Sequence, residues 1–206
     1  APLLLGKDAR PIAKRIDEIE RQLHGLGRSG PAMYALSALD IALWDLAGKR
    51  AGLPLFELLG GGDGELTRYA SLMRYGGDTA AVAANVTRAR QCGFTTIKLH
   101  ESTIAAFRAA RSSVDKEDNI CLDVNCPWTI SEARTVAREI REDDFHWLEE
   151  PVWPPENYPA LAQVREEGVP ISAGENMTTL HDFKAALDAG AVANIQPSVV
   201  KCGGIS

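Results

Sequence analysis

The stretch Phe145-His-Trp-Leu-Glu-Glu-Pro151 decides the fold, because it is an apolar run that ends in acidic residues. Two other runs end in the same way, Ile120-Cys-Leu-Asp-Val-Asn125 and Pro170-Ile-Ser-Ala-Gly-Glu-Asn176. Their acids, Asp123, Glu149 and Glu175, follow one another at equal intervals of 26 residues (149 − 123 and 175 − 149). A strand, a helix and two loops fill about that length, so each acid is expected at the same end of a successive parallel strand.

These three acids form a candidate metal site. Carboxylates that converge on one point repel one another unless a cation lies between them. Ligands that are all oxygens favour a hard divalent ion, Mg²⁺ before Mn²⁺, over zinc. The spacing therefore predicts Asp123, Glu149 and Glu175 as Mg²⁺ ligands. The competing interpretation is coincidence, because acids are frequent at strand ends and in first helical turns.

Composition limits the classes of protein to consider. The 206 residues are 45% hydrophobic and 24% charged, which is enough for a substantial core, and no segment is long and apolar enough to cross a membrane. The start of the chain lacks the basic and apolar regions of a signal peptide. Four cysteines without a CxxC pair suggest reduced thiols and a cytoplasmic location. The net charge of −6 argues against nucleic acid as the main partner but allows a small anionic substrate.

The chain divides at the glycine-rich loop 60–64. Residues 1–64 are expected to be mostly helical, with one long buried helix over 31–48, an exposed helix over 14–22 and a short one over 53–59. Residues 65–206 alternate between strand and helix patterns. The expected strands are 69–74, 95–100, 119–125, 145–149, 170–175 and 193–196, and the expected helices between them are 79–91, 103–114, 131–141, 158–167 and 180–189.

Repeated strand–helix units of this length imply parallel strands joined by right-handed crossovers. A closed eight-stranded barrel and an open doubly wound sheet both satisfy that pattern. The acids favour the barrel, because neighbouring strands of a barrel direct their C-terminal ends into one mouth. Six strands cannot close it. The fold expected is an incomplete (β/α)8-type, TIM-like barrel preceded by helices, with its C-terminal part missing from this chain.

The residues also carry a resemblance to a known family. The motifs concerned are Ala35–Lys49, Ile97-Lys-Leu-His100, Leu122-Asp-Val-Asn125, Trp147-Leu-Glu-Glu-Pro151, Ala173-Gly-Glu-Asn176 and Lys201-Cys-Gly-Gly-Ile205. In this order and spacing they resemble the enolase superfamily, and more narrowly the mandelate racemase and muconate lactonizing enzyme group. The resemblance covers the chain from about Pro31 onward. It implies that residues 1–64 are part of an N-terminal capping domain and residues 65–206 are the barrel domain, with strands 1 to 6.

The resemblance implies a Mg²⁺ enzyme that removes the proton alpha to a carboxylate and stabilises the resulting enediolate. Carried over by position, the metal ligands are again Asp123, Glu149 and Glu175. A proton beside an ionised carboxylate is very weakly acidic, and a divalent cation on the carboxylate oxygens is a strong sink for the developing charge. The family is also usually oligomeric, which implies a homo-oligomer.

The base departs from the family pattern. Relatives usually show Lys-x-Lys at the end of the second barrel strand, whereas this chain has Lys98-Leu-His100. Period two still places both side chains on the interior face. We expect His100 to be the base, kept neutral by the ammonium of Lys98, which could also bind the substrate carboxylate. The reverse assignment remains open, as does a structural arrangement in which Lys98 pairs with a ligand acid and His100 is merely packed.

Three further positions bear on the substrate. Asn125 shares the face of Asp123 and is expected to bind substrate or a ligand carboxylate, with a loop cap as the alternative. Ser198 stands where the two kinds of relative have Asp or Lys, so neither arrangement carries over intact. Lys201 matches a lysine common to both kinds and is a candidate substrate contact or a structural residue. Any acid or base from a seventh strand would lie beyond Ser206.

The expected function is that of a sugar-acid dehydratase or a sugar-lactone cycloisomerase acting on a small carboxylic acid. The unusual Lys-x-His and the segment from Gln196 to Lys201 favour these lyases and isomerases. A racemase or epimerase, or a muconate-type cycloisomerase, is the alternative enzyme. A non-catalytic protein that retains the fold is the alternative from another class.

Overall fold

The structure of the protein is a computed structural model that describes residues 3–62 and 64–206. Asp63, in the glycine-rich loop 60–64, lies outside the described residues. The chain forms two compact units. The first unit comprises Ala1–Glu65, Gly174–Phe183 and Pro197–Ser206, and the second comprises Leu66–Ala173 and Lys184–Gln196.

The first unit is built on helices α1 (Ile12–Leu23), α2 (Pro31–Ala51) and α3 (Leu55–Leu58), with a 3₁₀ turn over His24–Leu26. One face of α1 buries its isoleucines against Met33 and Leu36 of α2. Pro31 begins α2, where its missing N–H has no helical partner to lose. Gly52 ends α2 with φ 67°, a left-handed conformation that glycine adopts without steric cost.

Two buried polar residues of α2 hold the last residues of the chain in the same unit. Ser37 Oγ accepts the N–H of Gly203 at 2.9 Å. Asp40 accepts the N–H groups of Ile205 and Ser206 through Oδ2, at 2.5 and 3.2 Å. A Cβ on Gly204 would overlap the Asp40 carboxylate, so the segment approaches α2 closely only because this residue is glycine.

The second unit contains a six-stranded parallel sheet. Its strands are β1 (Ala70–Ser71), β2 (Thr96–Leu99), β3 (Asn119–Asp123), β4 (Trp147–Glu149), β5 (Ile171–Ala173) and β6 (Asn194–Ile195). They pair strictly in chain order from β1 to β6. A doubly wound sheet would reverse its strand order at a switch point, so the predicted barrel-type order is confirmed.

Helices connect the strands, as the sequence predicted. They are α4 (Thr79–Gln91), α5 (Ile104–Arg111), α6 (Ile130–Ile140), α7 (Tyr158–Arg165) and α8 (Leu180–Asp188). Local capping defines where several begin; Asp78 accepts from two N–H groups of α4, and Thr129 and Glu132 form a capping box at α6.

Alternation along the strands separates the apolar layer from the polar interior. Ile97, Leu99, Leu122 and Leu148 are at most 1% exposed. Lys98, Asp123 and Glu149 lie one residue away from these positions, and their side chains meet one another. The sheet therefore collects charged side chains on the face opposite its apolar layer.

Candidate active site

Asp123 and Glu149 lie at the C-terminal ends of adjacent strands and are paired in register. Both carboxylates contact the same cation. Lys98 Nζ lies 2.9 Å from Asp123 Oδ2 and 3.1 Å from Glu149 Oε1. All three residues are under 10% exposed. The two carboxylate oxygens therefore face one shared position, which the ammonium of Lys98 fills from β2.

One ammonium does not neutralise two buried carboxylates. Burial and the charge of Asp123 raise the pKa of Glu149, and the charge of Lys98 and its hydrogen bond offset this only in part. Burial also lowers the pKa of Lys98, but the hydrogen bond that Lys98 donates to Asp123 and the charges of both carboxylates outweigh it, and the pKa rises above its ordinary value. When both carboxylates are ionised, Asp123 and Glu149 carry one more negative charge than Lys98 can balance, which favours binding of a further cation.

His100 lies directly after β2 and also contacts this cluster. Its Nδ1 is 2.6 Å from the carbonyl oxygen of Leu72, and its Nε2 is 3.3 Å from Asp123 Oδ2. A carbonyl oxygen only accepts, so Nδ1 must carry a proton there. In the neutral ring the lone pair then lies on Nε2, so the 3.3 Å contact with Asp123 Oδ2 is a hydrogen bond only when Nε2 carries a proton. The side chain is 27% exposed and so remains within reach of solvent or a small molecule.

The remaining predicted site residues make contacts other than those with Lys98. Glu175 follows β5 and belongs to the first unit, where Lys201 Nζ lies 3.5 Å from its Oε1. Asn125 is exposed, and its backbone N–H donates to Asp123 Oδ1 at 3.2 Å. Ser198 accepts the N–H groups of Lys201 and Cys202 through its carbonyl. Within residues 3–62 and 64–206, no three His, Cys, Asp or Glu side chains already form a cation cage.

Sequence reasoning missed the neutral donors around Glu149. Trp147 Nε1 and Gln196 Nε2 both donate to Glu149 Oε2, at 3.0 and 3.2 Å. Ser172 Oγ donates to Gln196 Oε1 at 2.7 Å. A period of two along β4 could have identified Trp147, which lies two residues before Glu149 on the same face. Nothing in the sequence alone pointed to Ser172.

The backbone is unusual beside the acids. Asn125, Cys126 and Glu150 have φ values of 56°, 53° and 46°, in the left-handed region that side chains other than glycine rarely adopt. Such conformations cost energy and cluster at functional sites. Glu150 follows Glu149 directly, and Asn125 lies two residues after Asp123, so the chain turns sharply just beyond both acids.

The chain matches two family descriptions. Residues 81–206 match the family described as "Enolase C-terminal domain-like", and residues 1–60 match "Mandelate racemase / muconate lactonizing enzyme, N-terminal domain". Together they cover most of the chain.

Three relatives illustrate the similarity. A 3,6-anhydro-alpha-L-galactonate cycloisomerase of Streptomyces coelicolor is 36% identical over 98% of this chain and 57% of its own length. An L-talarate/galactarate dehydratase of Salmonella typhimurium is 32% identical over 98% of this chain and 53% of its own length. The crystal structure of a racemase from Streptomyces coelicolor with bound magnesium superposes with a TM-score of 0.91 at 36% identity, covering 98% of this chain and 63% of that chain. The chain thus spans about half the length of the curated relatives it matches.

No helix among the described residues has the length and apolar character needed to span a membrane.

Proposed function

Because this chain belongs to the mandelate racemase and muconate lactonizing enzyme family of the enolase superfamily, we propose that it is part of a Mg²⁺-dependent enzyme that removes the proton alpha to the carboxylate of a sugar acid. The observation that carries the proposal is the buried pair Asp123 and Glu149, whose oxygens face one cation beside the imidazole of His100. Within this chemistry the reaction is that of a sugar-acid dehydratase or a sugar-lactone cycloisomerase, and the relatives named as a cycloisomerase and as a dehydratase support this choice.

Asp123, Glu149 and Glu175 are the proposed Mg²⁺ ligands. The donor set fits a hard divalent ion, because all the donors are carboxylate oxygens. The two buried carboxylates share a single ammonium, which supports the same assignment. When bound, the ion supplies a sink for the negative charge that develops on the substrate carboxylate. Lys201, which contacts Glu175, is proposed to orient that ligand or to contact substrate.

His100 is the proposed base, with Nε2 as the atom that accepts the proton. The contact of Nδ1 with the Leu72 carbonyl supports this choice, because it leaves the lone pair of the neutral ring on Nε2. Lys98 is poorly suited to the reverse role. Its two carboxylate partners raise its pKa and keep it an ammonium, which cannot accept a proton. Lys98 is instead proposed to hold the two acids in place and to attract the substrate carboxylate.

Asn125 is proposed to bind the substrate. Its backbone N–H is used by Asp123, but its side chain is exposed beside the ligand acid. We propose further that residues 1–64 form part of a capping domain and 65–206 a barrel domain, which the separate family matches over 1–60 and 81–206 support. A homo-oligomer in the cytoplasm is the proposed context, to be tested by light scattering after size exclusion and by cell fractionation.

The test is proton NMR of the full-length protein in D₂O with Mg²⁺ and a panel of sugar acids and lactones. We expect loss of the alpha-proton signal or conversion to a product, and no reaction in the presence of EDTA. His100→Asn keeps a polar side chain of similar size but removes the basic nitrogen, so it should abolish exchange.

Each other outcome changes the proposal in a defined way. Activity that survives in His100→Asn would move the base away from Nε2 of His100. Exchange that inverts the alpha carbon without loss of water or ring opening would favour a racemase. A protein that neither binds Mg²⁺ nor reacts with any acid of the panel would be a non-catalytic member of the family.

A further inference from the structure

We propose that Gln196, held by Ser172, is a positioning residue. Together with Trp147 it occupies Oε2 of Glu149, so that Oε1 is the oxygen that faces the proposed metal ion. This inference rests on the metal site proposed above. It concerns neutral side chains on β4, β5 and the end of β6, all within the second unit.

The two oxygens of Glu149 have different surroundings. Oε2 accepts two hydrogen bonds, from Trp147 Nε1 at 3.0 Å and from Gln196 Nε2 at 3.2 Å. Oε1 lies 3.1 Å from Lys98 Nζ, on the side shared with Asp123. A carboxylate oxygen has two lone pairs, so two N–H donors saturate Oε2. The carboxylate is thereby fixed in rotation, with Oε1 directed at the shared position.

Ser172 fixes the orientation of the Gln196 amide. An ionised carboxylate only accepts, so the nitrogen of the amide must face Glu149 and its oxygen must face Ser172. Ser172 Oγ then donates to Gln196 Oε1 at 2.7 Å. Ser172 is fully buried and pairs in register with Glu149, so water cannot easily replace its hydroxyl. Without that donor the amide could rotate and turn its oxygen toward Glu149, where it would repel the carboxylate.

Trp147 is held equally firmly. Its ring packs edge-on against Tyr69 with centroids 6.1 Å apart, and the Tyr69 ring lies 5.7 Å from Lys98 Nζ. The indole therefore has little freedom to rotate away from Glu149. Both donors to Oε2 are thus pre-oriented by contacts of their own, which is the arrangement by which neighbouring hydrogen bonds tune a metal ligand.

Loss of such an orienting partner typically costs about 10–100-fold in metal affinity. We expect Gln196→Leu, which keeps the volume but removes the amide, to weaken Mg²⁺ binding by about that factor. Ser172→Ala should weaken it less, because the amide remains but loses its fixed orientation. At saturating Mg²⁺ both variants should recover kcat to within several-fold, since neither residue is proposed to touch substrate.

The experiment is calorimetric titration of the full-length protein with MgCl₂, supported by the Mg²⁺ dependence of kcat and by thermal unfolding without metal. Gln163→Leu is the matched control, because Gln163 is exposed on α7 and should leave the Mg²⁺ affinity unchanged. A Gln196→Leu protein that is folded and binds Mg²⁺ as tightly as the unmodified protein would overturn the inference while leaving the metal site intact.

Two other outcomes are also decisive. If Gln196→Leu fails to fold, the Ser172→Ala titration decides, and unchanged affinity there overturns the inference. If the unmodified protein binds no Mg²⁺, the proposed metal site fails and this inference fails with it.

Discussion

Lys98 is a buried ammonium enclosed by two buried carboxylates. Its side chain is only 10% exposed, and those of Asp123 and Glu149 are 6% and 3% exposed. Buried ion pairs are poor sources of net stability, but removing one partner leaves an uncompensated charge in a medium that solvates it badly. In this cluster the loss of Lys98 would leave two negative charges facing one another.

We therefore expect Lys98→Met to destabilise the protein strongly when no divalent cation is present. Breaking a buried pair costs about 3–5 kcal/mol, so the urea midpoint in EDTA should fall accordingly. Mg²⁺ should restore part of the loss, because it replaces the missing positive charge. Lys184→Met is the control, since Lys184 forms an exposed pair with Asp188 that contributes at most about 1 kcal/mol. Equal losses in the two variants would contradict the buried cluster.

At this site the positions of Lys98 and His100 could be predicted from the sequence, but the hydrogen-bond partner of His100 could not. Strand alternation was enough to predict that Lys98 and His100 share the interior face, and the structure brings both to Asp123. The contact of Nδ1 with Leu72 could not be predicted, because it depends on how β1 is placed against β2. The common face of Lys98 and His100 follows from the geometry of a single strand, whereas the tautomer of His100 depends on a contact with another strand.

The loop between β1 and α4 is held by one buried carboxylate. Glu101 is 2% exposed, and its two oxygens accept the N–H groups of Tyr75 and Gly77, the latter at 2.8 Å. Gly76 and Gly77 both have positive φ, so the loop turns tightly where it meets the carboxylate. Since Glu101 follows His100 directly, this contact ties the loop to the end of β2.

We expect Glu101→Ala to release this loop. Two half-buried backbone N–H groups would lose their acceptor, and a hydrogen bond to a charged group contributes about 1.5–3 kcal/mol. Hydrogen exchange of the amides of Tyr75 and Gly77 should accelerate at least tenfold, while the amides of α6 stay protected. Glu117→Ala, at an exposed position, should leave exchange in the loop unchanged. Unaltered protection in Glu101→Ala would mean that the loop is held by other contacts.

The strands show which element features the sequence could predict. All six were expected from apolar runs, and all six are present; five of them end earlier than expected, whereas β4 ends at Glu149 as expected and begins two residues later. β3 was predicted to reach Asn125 and stops at Asp123, because Asn125 and Cys126 adopt left-handed φ. β5 was predicted to reach Glu175 and stops at Ala173, because Gly174 has φ 145°. Apolar patterning indicates where a strand runs, but its end depends on backbone angles that the pattern does not encode.

The whole chain combines a net charge of −6 with a proposed substrate that is itself an anion. A negative protein repels an anion at long range, so a local positive potential is needed at the site. Lys98 can attract the substrate carboxylate at short range, but its charge is shared with two carboxylates and does not by itself make the local potential positive. A bound divalent cation would supply such a potential, because it would invert the local sign of the charge. We therefore expect the metal to be needed for substrate binding and not only for the reaction.

Mg²⁺ should also raise the stability of the full-length protein, because a ligand that binds only the folded state stabilises it by mass action. At a free concentration about 100 times its Kd, the gain is about 2.7 kcal/mol. The measurement is thermal unfolding across a MgCl₂ series at constant ionic strength. Asp123→Asn removes the charge of one proposed ligand and should flatten this dependence, while Asp45→Asn, at an exposed position on α2, should retain it. A rise of equal size in Asp123→Asn would mean that Mg²⁺ acts elsewhere on this acidic surface, and the Asp123 and Glu149 pair would then be a structural cluster whose only cation is Lys98 among the described residues.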